Sequence, residues 1–366
     1  MTSTTVAQQS KDASRDGDLD SSINFIQHGS NFVDADPLTD LIHWNLVFIV
    51  TPAVSIIGVL GNIVSLVVLA KQGFHKSSNI LLFALAISDI LFMVGVNGPP
   101  KPMYEWGAGG FQYPKLTAHV LYYLYHIFDS LNWGSGATSL CIPFLITVER
   151  LIAVFMPLKF KSIVTPRRTL ISVIIPSVIF YGLQAYVRNW FEFAYVFDPA
   201  RNASVGYAVR SDLFWRQRGA LKILAVFVNC LTILIIFVFC GCIAIGVKIR
   251  MAALKRLKMT QKMTDQGGGK NNIRTSRTTK TLLFLCVFYT LTCCPICLPA
   301  FMPDVMVFPV YTEDPNFRSV GVFVYHVYKL MFSINASFNF VIYVATNKSF
   351  RDTLVALVRR QHPRVS

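Results

Sequence analysis

Seven long runs of apolar residues divide the chain, and shorter segments between them carry most of its charges. The runs cover residues 44–70, 79–98, 119–148, 170–187, 220–247, 281–302 and 320–346. Each is close to or longer than the ~20 residues that an α-helix needs to cross a bilayer. The pattern predicts an all-α membrane protein, a bundle of seven transmembrane helices over residues 44–346.

The basic residues give the predicted bundle an orientation. Counted alternately from the N-terminus, Lys and Arg number 22 in the loops of one side and 10 in those of the other. Because basic residues accumulate in cytoplasmic loops, we expect an extracellular N-terminus and a cytoplasmic C-terminus at the plasma membrane. The formal net charge of +15 then indicates attraction to anionic membrane lipid rather than to nucleic acid.

The two ends of the chain are polar in different ways. Residues 1–43 contain seven Asp and no apolar segment typical of a cleavable signal peptide, so we expect a disordered extracellular tail. Residues 347–366 form a cytoplasmic tail that begins with a predicted amphipathic helix on the inner leaflet. Its apolar face would consist of Phe350, Leu354, Leu357 and Val358.

Two kinds of covalent modification can be judged from the sequence. Sequons begin at Asn202, Asn335 and Asn347, and only Asn202 falls in a predicted outer loop, so it is the glycosylation candidate. All eight cysteines lie in apolar segments, and we therefore expect no extracellular disulfide. The cysteines at 293–297 could bind a metal, but we favour their use as small apolar residues.

Four polar residues lie inside the apolar runs, where they are costly and therefore suggest function. They are Asp89, Ser139, Asn335 and Asn339. The carboxylate, hydroxyl and amide oxygens could hold a small hard cation. The same groups could instead join helix to helix by hydrogen bonds, and the residues alone leave both interpretations open.

A charged pair, Glu149 and Arg150, closes the third run. The pair could anchor the helix at the membrane boundary by snorkelling. It could also be a switch, in which Glu149 holds the guanidinium group at rest and releases it on activation.

Short motifs occur in a fixed order on the seven runs. They are Gly61–Asn62, Leu85-Ala86-Ile87-Ser88-Asp89, Glu149-Arg150-Leu151 with Pro157-Leu158, the segment TKTLLFLCVFYTLTCCP with Pro295, Asn339-Phe340-Val341-Ile342-Tyr343, and Phe350–Arg351. This set resembles the rhodopsin-like (class A) G-protein-coupled receptors. It is similar to invertebrate FMRFamide-type neuropeptide receptors and to orphan or chemosensory receptors.

The resemblance implies roles for particular residues. An activation switch that couples to a heterotrimeric G protein would consist of Glu149, Arg150, Pro295, Asn339 and Tyr343. An allosteric sodium ion would be held by Asp89, Ser139, Asn335 and Asn339, and no other cofactor is expected.

The chain departs from the family pattern near the predicted ligand region. Tyr125 replaces the cysteine at the top of the third helix, so loop 188–219 must be held by packing or left mobile. Cys293 replaces the ligand-sensing tryptophan of the sixth helix, with Tyr289 below it. Phe340 replaces a proline, so the seventh helix should keep a backbone hydrogen bond and bend less. Pro143 in the third helix should free the Ser139 carbonyl.

The third run also constrains the ligand. Asn132 stands where amine receptors carry an aspartate, which disfavours a monoamine. Asp129 could pair with a basic ligand group, although we favour an ion pair with Lys329 or with an outer-loop arginine. The candidate ligand-binding residues are Tyr125, Asp129, Asn132, Tyr289, Cys293, Tyr325 and Tyr328.

The predicted function is a G-protein-coupled receptor for an extracellular neuropeptide. The alternative is a chemosensory receptor for a small external molecule. A seven-span transporter or channel is less favoured, because few intramembrane charges are available to line a path. The chain shows no sequence motif of an enzyme active site, so we do not expect catalysis.

Overall fold

The computed structural model describes residues 37–107, 110–199, 202–216, 230–249, 251, 277–293 and 315–361. Its long helices are labelled in chain order. They are α1 (Thr51–Gln72), α2 (Ser77–Val96), α3 (Lys115–Phe155), α4 (Pro166–Arg188), α5 (Cys230–Ile249), α6 (Arg277–Cys293), α7 (Pro315–Thr346) and α8 (Lys348–Gln361).

Within the described residues, six helices are long and apolar enough to cross a membrane: α1 to α5 and α7. The seventh predicted run is represented by α6, which is described over 17 residues up to Cys293. The helices before and after it in the chain, α5 and α7, are both among the six. The helices pack around a common apolar core that includes residues of α1, α2, α3, α5, α6 and α7.

Helical structure extends beyond several of the apolar runs that predicted it, and most clearly at the first and third runs. Helical structure before α1 begins at Pro37, inside the segment assigned to the polar tail, and passes through a π-helical turn, Leu46–Val50. Helix α3 has 41 residues, about 60 Å at 1.5 Å per residue, and so exceeds the ~30 Å hydrocarbon core. Bilayer thickness limits the length of an apolar run, whereas helical hydrogen bonding can continue beyond the hydrocarbon.

Pro143 and Phe340 both lie inside long helices. Pro143 lies inside α3, which continues to Phe155. Helix α7 runs unbroken from Pro315 to Thr346 through Phe340. A residue with a backbone N–H at this position allows the regular helical hydrogen bond that proline would remove.

A β-hairpin occupies the segment between α4 and α5, which the sequence left as packed or mobile. Strands β1 (Phe191–Asp198) and β2 (Ala203–Arg210) pair antiparallel over their full length. Asn202 precedes β2, is exposed, and has a positive φ of 47°. Asparagine tolerates this left-handed conformation better than most residues, which suits it to the turn. We call this side of the bundle the hairpin end.

The opposite side is the α8 end. The side chain of Asn347 accepts a hydrogen bond from the Phe350 amide and so caps α8. Arg351 donates to the carbonyl oxygens of Val344 and Ala345, in the last turn of α7. The predicted apolar face is turned mainly into the bundle: Phe350 is buried and Leu354 and Leu357 pack against the core, while Val358 is exposed.

Candidate functional site

The centre of the bundle contains a hydrogen-bonded polar cluster around Asp89 of α2. Its Oδ1 accepts a hydrogen bond of 2.6 Å from the Ser139 hydroxyl of α3, and its Oδ2 accepts one of 2.6 Å from the Asn339 amide of α7. All three side chains are buried. A buried carboxylate needs such donors, because burial removes it from bulk water. The cluster therefore ties three helices together at one point.

Asn335 has a different partner from the one that its predicted role requires. Its Oδ1 accepts a hydrogen bond of 2.9 Å from Thr292 of α6, and this bond joins α7 to α6. Asn62 of α1 donates to the Ala336 carbonyl of α7 at 2.9 Å and to the Gly58 carbonyl within α1. Thr292 was missed by the sequence reasoning, because a threonine within a helix usually bonds its own backbone.

The cluster offers only part of the oxygen set expected for sodium. The carboxylate of Asp89 and the hydroxyl oxygen of Ser139 are adjacent and of the kind that a hard cation prefers. Asn339 presents its amide nitrogen to Asp89, and the oxygen of Asn335 is bonded to Thr292. These two amides would have to reorient before their oxygens could join Asp89 and Ser139. The sodium ion stays a prediction.

At the α8 end of α3, Arg150 is paired with its neighbour Glu149. The guanidinium Nη2 lies 2.7 Å from Glu149 Oε1, and both side chains are mostly buried. Neither Arg150 Nε nor Glu149 Oε2 has a hydrogen-bond partner among the described residues. The pair is thus joined through one carboxylate oxygen. Arg150 keeps a free N–H donor at Nε, which could donate to a new acceptor.

Tyr343 and Tyr289 lie in the core between the polar cluster and this charged pair. Tyr343 packs on Phe350 with ring centroids 5.6 Å apart, and its hydroxyl makes no hydrogen bond in the described part of the chain. Tyr289 of α6 donates to the Leu140 carbonyl of α3 at 2.9 Å, about one helical turn before Pro143. A buried hydroxyl with no partner is costly, so a conformation that supplies one to Tyr343 would be favoured.

The remaining switch residue and one ligand candidate lie outside what can be described. Pro295 is in segment 294–314, beyond the described residues. Tyr325 belongs to α7, but its side chain is also outside the description.

At the hairpin end, Asp129 of α3 forms an ion pair with Lys101, in the short helix Pro100–Gly107 that follows α2. The Nζ–Oδ1 distance is 2.6 Å. The predicted partner, Lys329 or a loop arginine, was wrong, because the turn after α2 brings Lys101 against α3. The lysine side chain is 1% exposed and the aspartate 29% exposed. The second carboxylate oxygen of Asp129 has no donor among the described residues.

The other candidate ligand-binding residues differ in how deeply they are buried. Tyr125 is half-buried beside this pair, with Lys101 Nζ 6.0 Å from its ring centroid. Tyr328 is half-buried on α7, whereas Asn132 is buried on α3. The two α6 candidates, Tyr289 and Cys293, are fully buried, and Tyr289 belongs to the packed core. The structure therefore brings Tyr125 and Asp129 together and places Tyr289 below them.

The hairpin is fastened to α3 by packing and by backbone hydrogen bonds. Phe111, just before α3, exchanges two backbone hydrogen bonds of 2.8 and 2.9 Å with Gly206 of β2. The buried Phe111 ring packs with Ala118 and Tyr122 of α3, and the Tyr122 hydroxyl donates to the Phe191 carbonyl of β1. The six cysteines of the described segments form no disulfide with one another. Phe111 was missed because an isolated aromatic in a loop carries no periodic signal.

A seven-helix membrane bundle with a Glu–Arg pair near the end of α3 and a short eighth helix is typical of G-protein-coupled receptors. The family model described as "Serpentine type 7TM GPCR chemoreceptor Srw" matches residues 49–361. The chain belongs to this family, and both the predicted fold class and the resemblance to rhodopsin-like receptors are confirmed.

Three relatives show what the chain is similar to. It is 27% identical to "Probable G-protein coupled receptor B0563.6" of Caenorhabditis elegans over 233 residues, 59% of this chain and 49% of the relative. It is 25% identical to "FMRFamide peptide receptor frpr-18" of the same nematode, over 83% of this chain and 67% of the relative. It is 21% identical to the "FMRFamide receptor" of Drosophila melanogaster, over 81% of this chain and 51% of the relative. The chain thus spans about half the length of the first and third of these relatives.

Proposed function

We propose that the chain is a plasma-membrane receptor that binds an extracellular neuropeptide at the hairpin end and activates a heterotrimeric G protein at the α8 end. The excess of Lys and Arg in the loops of the α8 end supports a cytoplasmic position for that end. In this role the chain transmits a conformational change and performs no catalysis.

The buried Glu149–Arg150 pair is the observation that carries the proposal. In this state one Nη of Arg150 lies 2.7 Å from Glu149 Oε1, and its Nε has no hydrogen-bond partner among the described residues. Activation would separate the guanidinium group from Glu149 and present it to the G protein. The breakage of one charge-assisted hydrogen bond is a cost that binding of a partner can offset.

Two relatives favour a peptide ligand over a small molecule. Of the three relatives named above, they match the largest share of this chain. Both are named as FMRFamide receptors. The family description as a chemoreceptor supports the second candidate, a receptor for a small external molecule. The two differ in ligand class and share the proposed switch.

The first experiment tests ligand and switch together. Cells that express the chain are exposed to amidated peptides, FMRFamide among them, and to a set of small odorants, and a second messenger is recorded. We expect a peptide to evoke a response. Arg150→Ala should remove at least about 90% of that response at equal surface expression, because its guanidinium group is needed only in the active state.

Arg168 provides the matched control for this variant. It lies at the same end and donates to the carbonyl oxygens of Ser162 and Ile163. Arg168→Ala should keep the response. A full response from Arg150→Ala would reject the switch, and a response to odorants alone would replace the peptide with a small molecule.

We further propose that Asp129 binds a cationic group of the ligand. Its carboxylate is partly exposed and one oxygen is free of described donors, whereas Lys101 is almost completely covered. A guanidinium or ammonium group could therefore reach the carboxylate without displacing Lys101. Arginine suits such a contact because its fork donates two parallel hydrogen bonds.

An exchange of the two charges separates this role from a structural one. Removal of one partner of a buried pair costs about 3–5 kcal/mol, so single variants would confuse misfolding with lost recognition. Lys101→Asp/Asp129→Lys restores the pair with reversed polarity. We expect normal surface expression and a loss of potency of about 100-fold for a peptide with arginine. Replacement of that arginine by citrulline should lower potency on the wild type and not on the exchanged receptor. If the exchanged receptor responds normally, the pair is structural only.

A further inference from the structure

The two edges of the hairpin are used differently. On the β2 edge, Gly206 exchanges two backbone hydrogen bonds with Phe111, and the Ala208 amide donates to the Tyr104 hydroxyl. The backbone groups of successive residues in a strand point to opposite sides, so every second residue of β2 turns its N–H and C=O away from β1. The edge of β2 is therefore covered by the segment between α2 and α3.

The strand register shows which backbone groups of β1 point away from β2. Tyr195 pairs with Gly206, and in an antiparallel pair a residue opposite an outward-facing one also faces outward. Every second residue of β1 shares this direction. Phe191 agrees with the assignment, because its carbonyl accepts a hydrogen bond of 3.1 Å from the Tyr122 hydroxyl of α3.

Beyond Phe191, the outer edge of β1 is open. Its outward backbone groups belong to Phe193, Tyr195 and Phe197, and no described residue forms a backbone hydrogen bond with them there. This edge is about 14 Å long at ~3.4 Å per residue. Strand β1 contains neither Lys nor Pro, and its pairing with β2 has no bulge. These are the features that usually protect an edge, and without them the edge is a template for another extended backbone.

The surroundings of this edge favour a cationic peptide. Glu192, next to Phe193 in β1, is exposed and forms no ion pair with a described residue. The Phe191 ring lies 6.0 Å from the His126 ring, about one helical turn before the partly exposed Asp129. A peptide paired with β1 would therefore lie beside one acidic residue and near a second, which complements a basic side chain.

We propose that the open edge of β1 binds an extended cationic peptide as an additional strand of the hairpin. The peptide backbone would exchange hydrogen bonds with Phe193, Tyr195 and Phe197, and its side chains would decide which sequences are accepted. This binding mode rests on the proposed function, because the peptide is the receptor's own ligand. It adds how the backbone of that ligand is recognised.

The first measurement uses FMRFamide and the purified full-length chain in lipid nanodiscs, without G protein. The four residues of this peptide match the length of the edge and include an arginine. Affinity is measured for FMRFamide and for three analogues, each N-methylated at one of its last three residues. Only alternate residues of a paired strand turn their N–H toward the neighbour. We expect affinity to fall at least about fivefold at alternate positions only, as for the loss of one hydrogen bond. Equal sensitivity at all three positions, or none at any, would overturn the pairing.

Two variants of one residue identify the edge. Phe197→Pro removes an outward N–H and keeps the hydrogen bonds between β1 and β2, which a proline on an edge strand permits. Phe197→Ala is the matched control, since it removes the same exposed ring and keeps the N–H. We expect Phe197→Pro to bind FMRFamide about fivefold more weakly than Phe197→Ala. Equal affinities would contradict the proposal, and if Phe197→Pro unfolds the hairpin, the N-methyl pattern on the wild type decides. A changed oligomeric state with unchanged affinity would assign the edge to a second copy of the chain and overturn the proposal as well.

Failure of this binding mode can be told apart from failure of the receptor function. If FMRFamide binds and evokes a response but shows no alternation among the analogues, only the strand pairing is overturned. If FMRFamide does not bind, the strand pairing is overturned too, whereas the receptor function is decided by the other peptides and the odorants in the cell assay.

Discussion

Asp89 in the bundle interior accepts two hydrogen bonds of 2.6 Å from helices far apart in sequence, whereas the hairpin end rests largely on aromatic rings. Around Phe111 and Tyr122, the hairpin packs through half-buried side chains from α3 and both strands. Its hydrogen bonds to the rest of the chain include pairs between backbone groups, which almost any residue can supply.

This difference between hydrogen bonds and aromatic packing explains where the sequence departs from the motifs of the receptor family. In the interior, each contact needs a donor or acceptor at one position, so a replacement leaves a buried group unpaired. Aromatic packing shares its energy among many contacts, and one ring can be replaced by another of similar volume. Tyr125 can therefore stand where the family has a disulfide cysteine, while Asp89 and Asn339 match the family motifs.

The largest expected effect comes from Gly95, because α2 and α3 serve both regions. A Cβ at this position would overlap the backbone nitrogen of Asn132 and lie 2.8 Å from the Phe128 carbonyl oxygen. Backbone atoms cannot rotate away, so the helices would have to separate. We expect Gly95→Ala to lower the free energy of unfolding by about 3 kcal/mol, at the upper range for overpacking, as measured by detergent denaturation in mixed micelles.

Gly182 of α4 is the control for this substitution. A Cβ there would have no heavy atom within 4 Å. Gly182→Ala should be neutral or stabilising by up to about 1 kcal/mol, because alanine is the better helix former. Similar losses in both variants would show that close approach of α2 and α3 does not limit stability.

Substitution in the polar cluster around Asp89 should give the second-largest loss of stability. Asp89→Ala leaves the donors of Ser139 and Asn339 without their acceptor, but hydrogen bonds inside membranes average only about 0.6 kcal/mol and reach about 1.7. We expect a loss of about 1–2 kcal/mol by the same denaturation measurement. A double-mutant cycle with Asn339→Ala should give a coupling energy of about 1 kcal/mol, and additive effects would contradict direct coupling of the two residues.

The same residue tests the sodium ion. We propose that sodium, when bound, occupies the oxygens of Asp89 and Ser139 after Asn339 turns away. The melting temperature of the wild type should then be higher in sodium chloride than in N-methylglucamine chloride of equal ionic strength. Asp89→Asn should remove the difference. A wild type that melts equally in both salts would reject the ion and leave the cluster as a contact between helices.

The parts that the sequence could predict are those governed by the bilayer. Bilayer thickness sets the length of an apolar run, so the spans were found, although their helices extend beyond the hydrocarbon. The cost of a buried charge pointed to Asp89, and a matching polar residue on another helix pointed to Asn339.

Other features depend on where side chains meet, which a linear pattern does not specify. Lys101 lies in a loop by the pattern, and only the turn after α2 brings it against Asp129. Thr292 gave no signal of its bond to Asn335. The hairpin did have a signal: Phe191–Asp198 is rich in aromatic residues, and the turn contains Pro and Asn, which are typical of a strand followed by a turn.

Tyr104 should give the smallest effect and the closest test of the hairpin end. Its hydroxyl oxygen accepts the Ala208 amide of β2 at 3.0 Å, and its ring lies 5.0 Å from the rings of Phe111 and Tyr125. Tyr104→Phe removes the acceptor and keeps the ring. A hydrogen bond contributes about 0.5–1.5 kcal/mol net, so exchange of the Ala208 amide with deuterium should accelerate about fivefold, with little change in its neighbours.

Tyr195→Phe is the control: its exposed hydroxyl donates to the Tyr113 carbonyl, and water can replace that bond. If Tyr104→Phe instead accelerates exchange along both strands, then one directional bond holds the hairpin, and the two regions are stabilised in the same way.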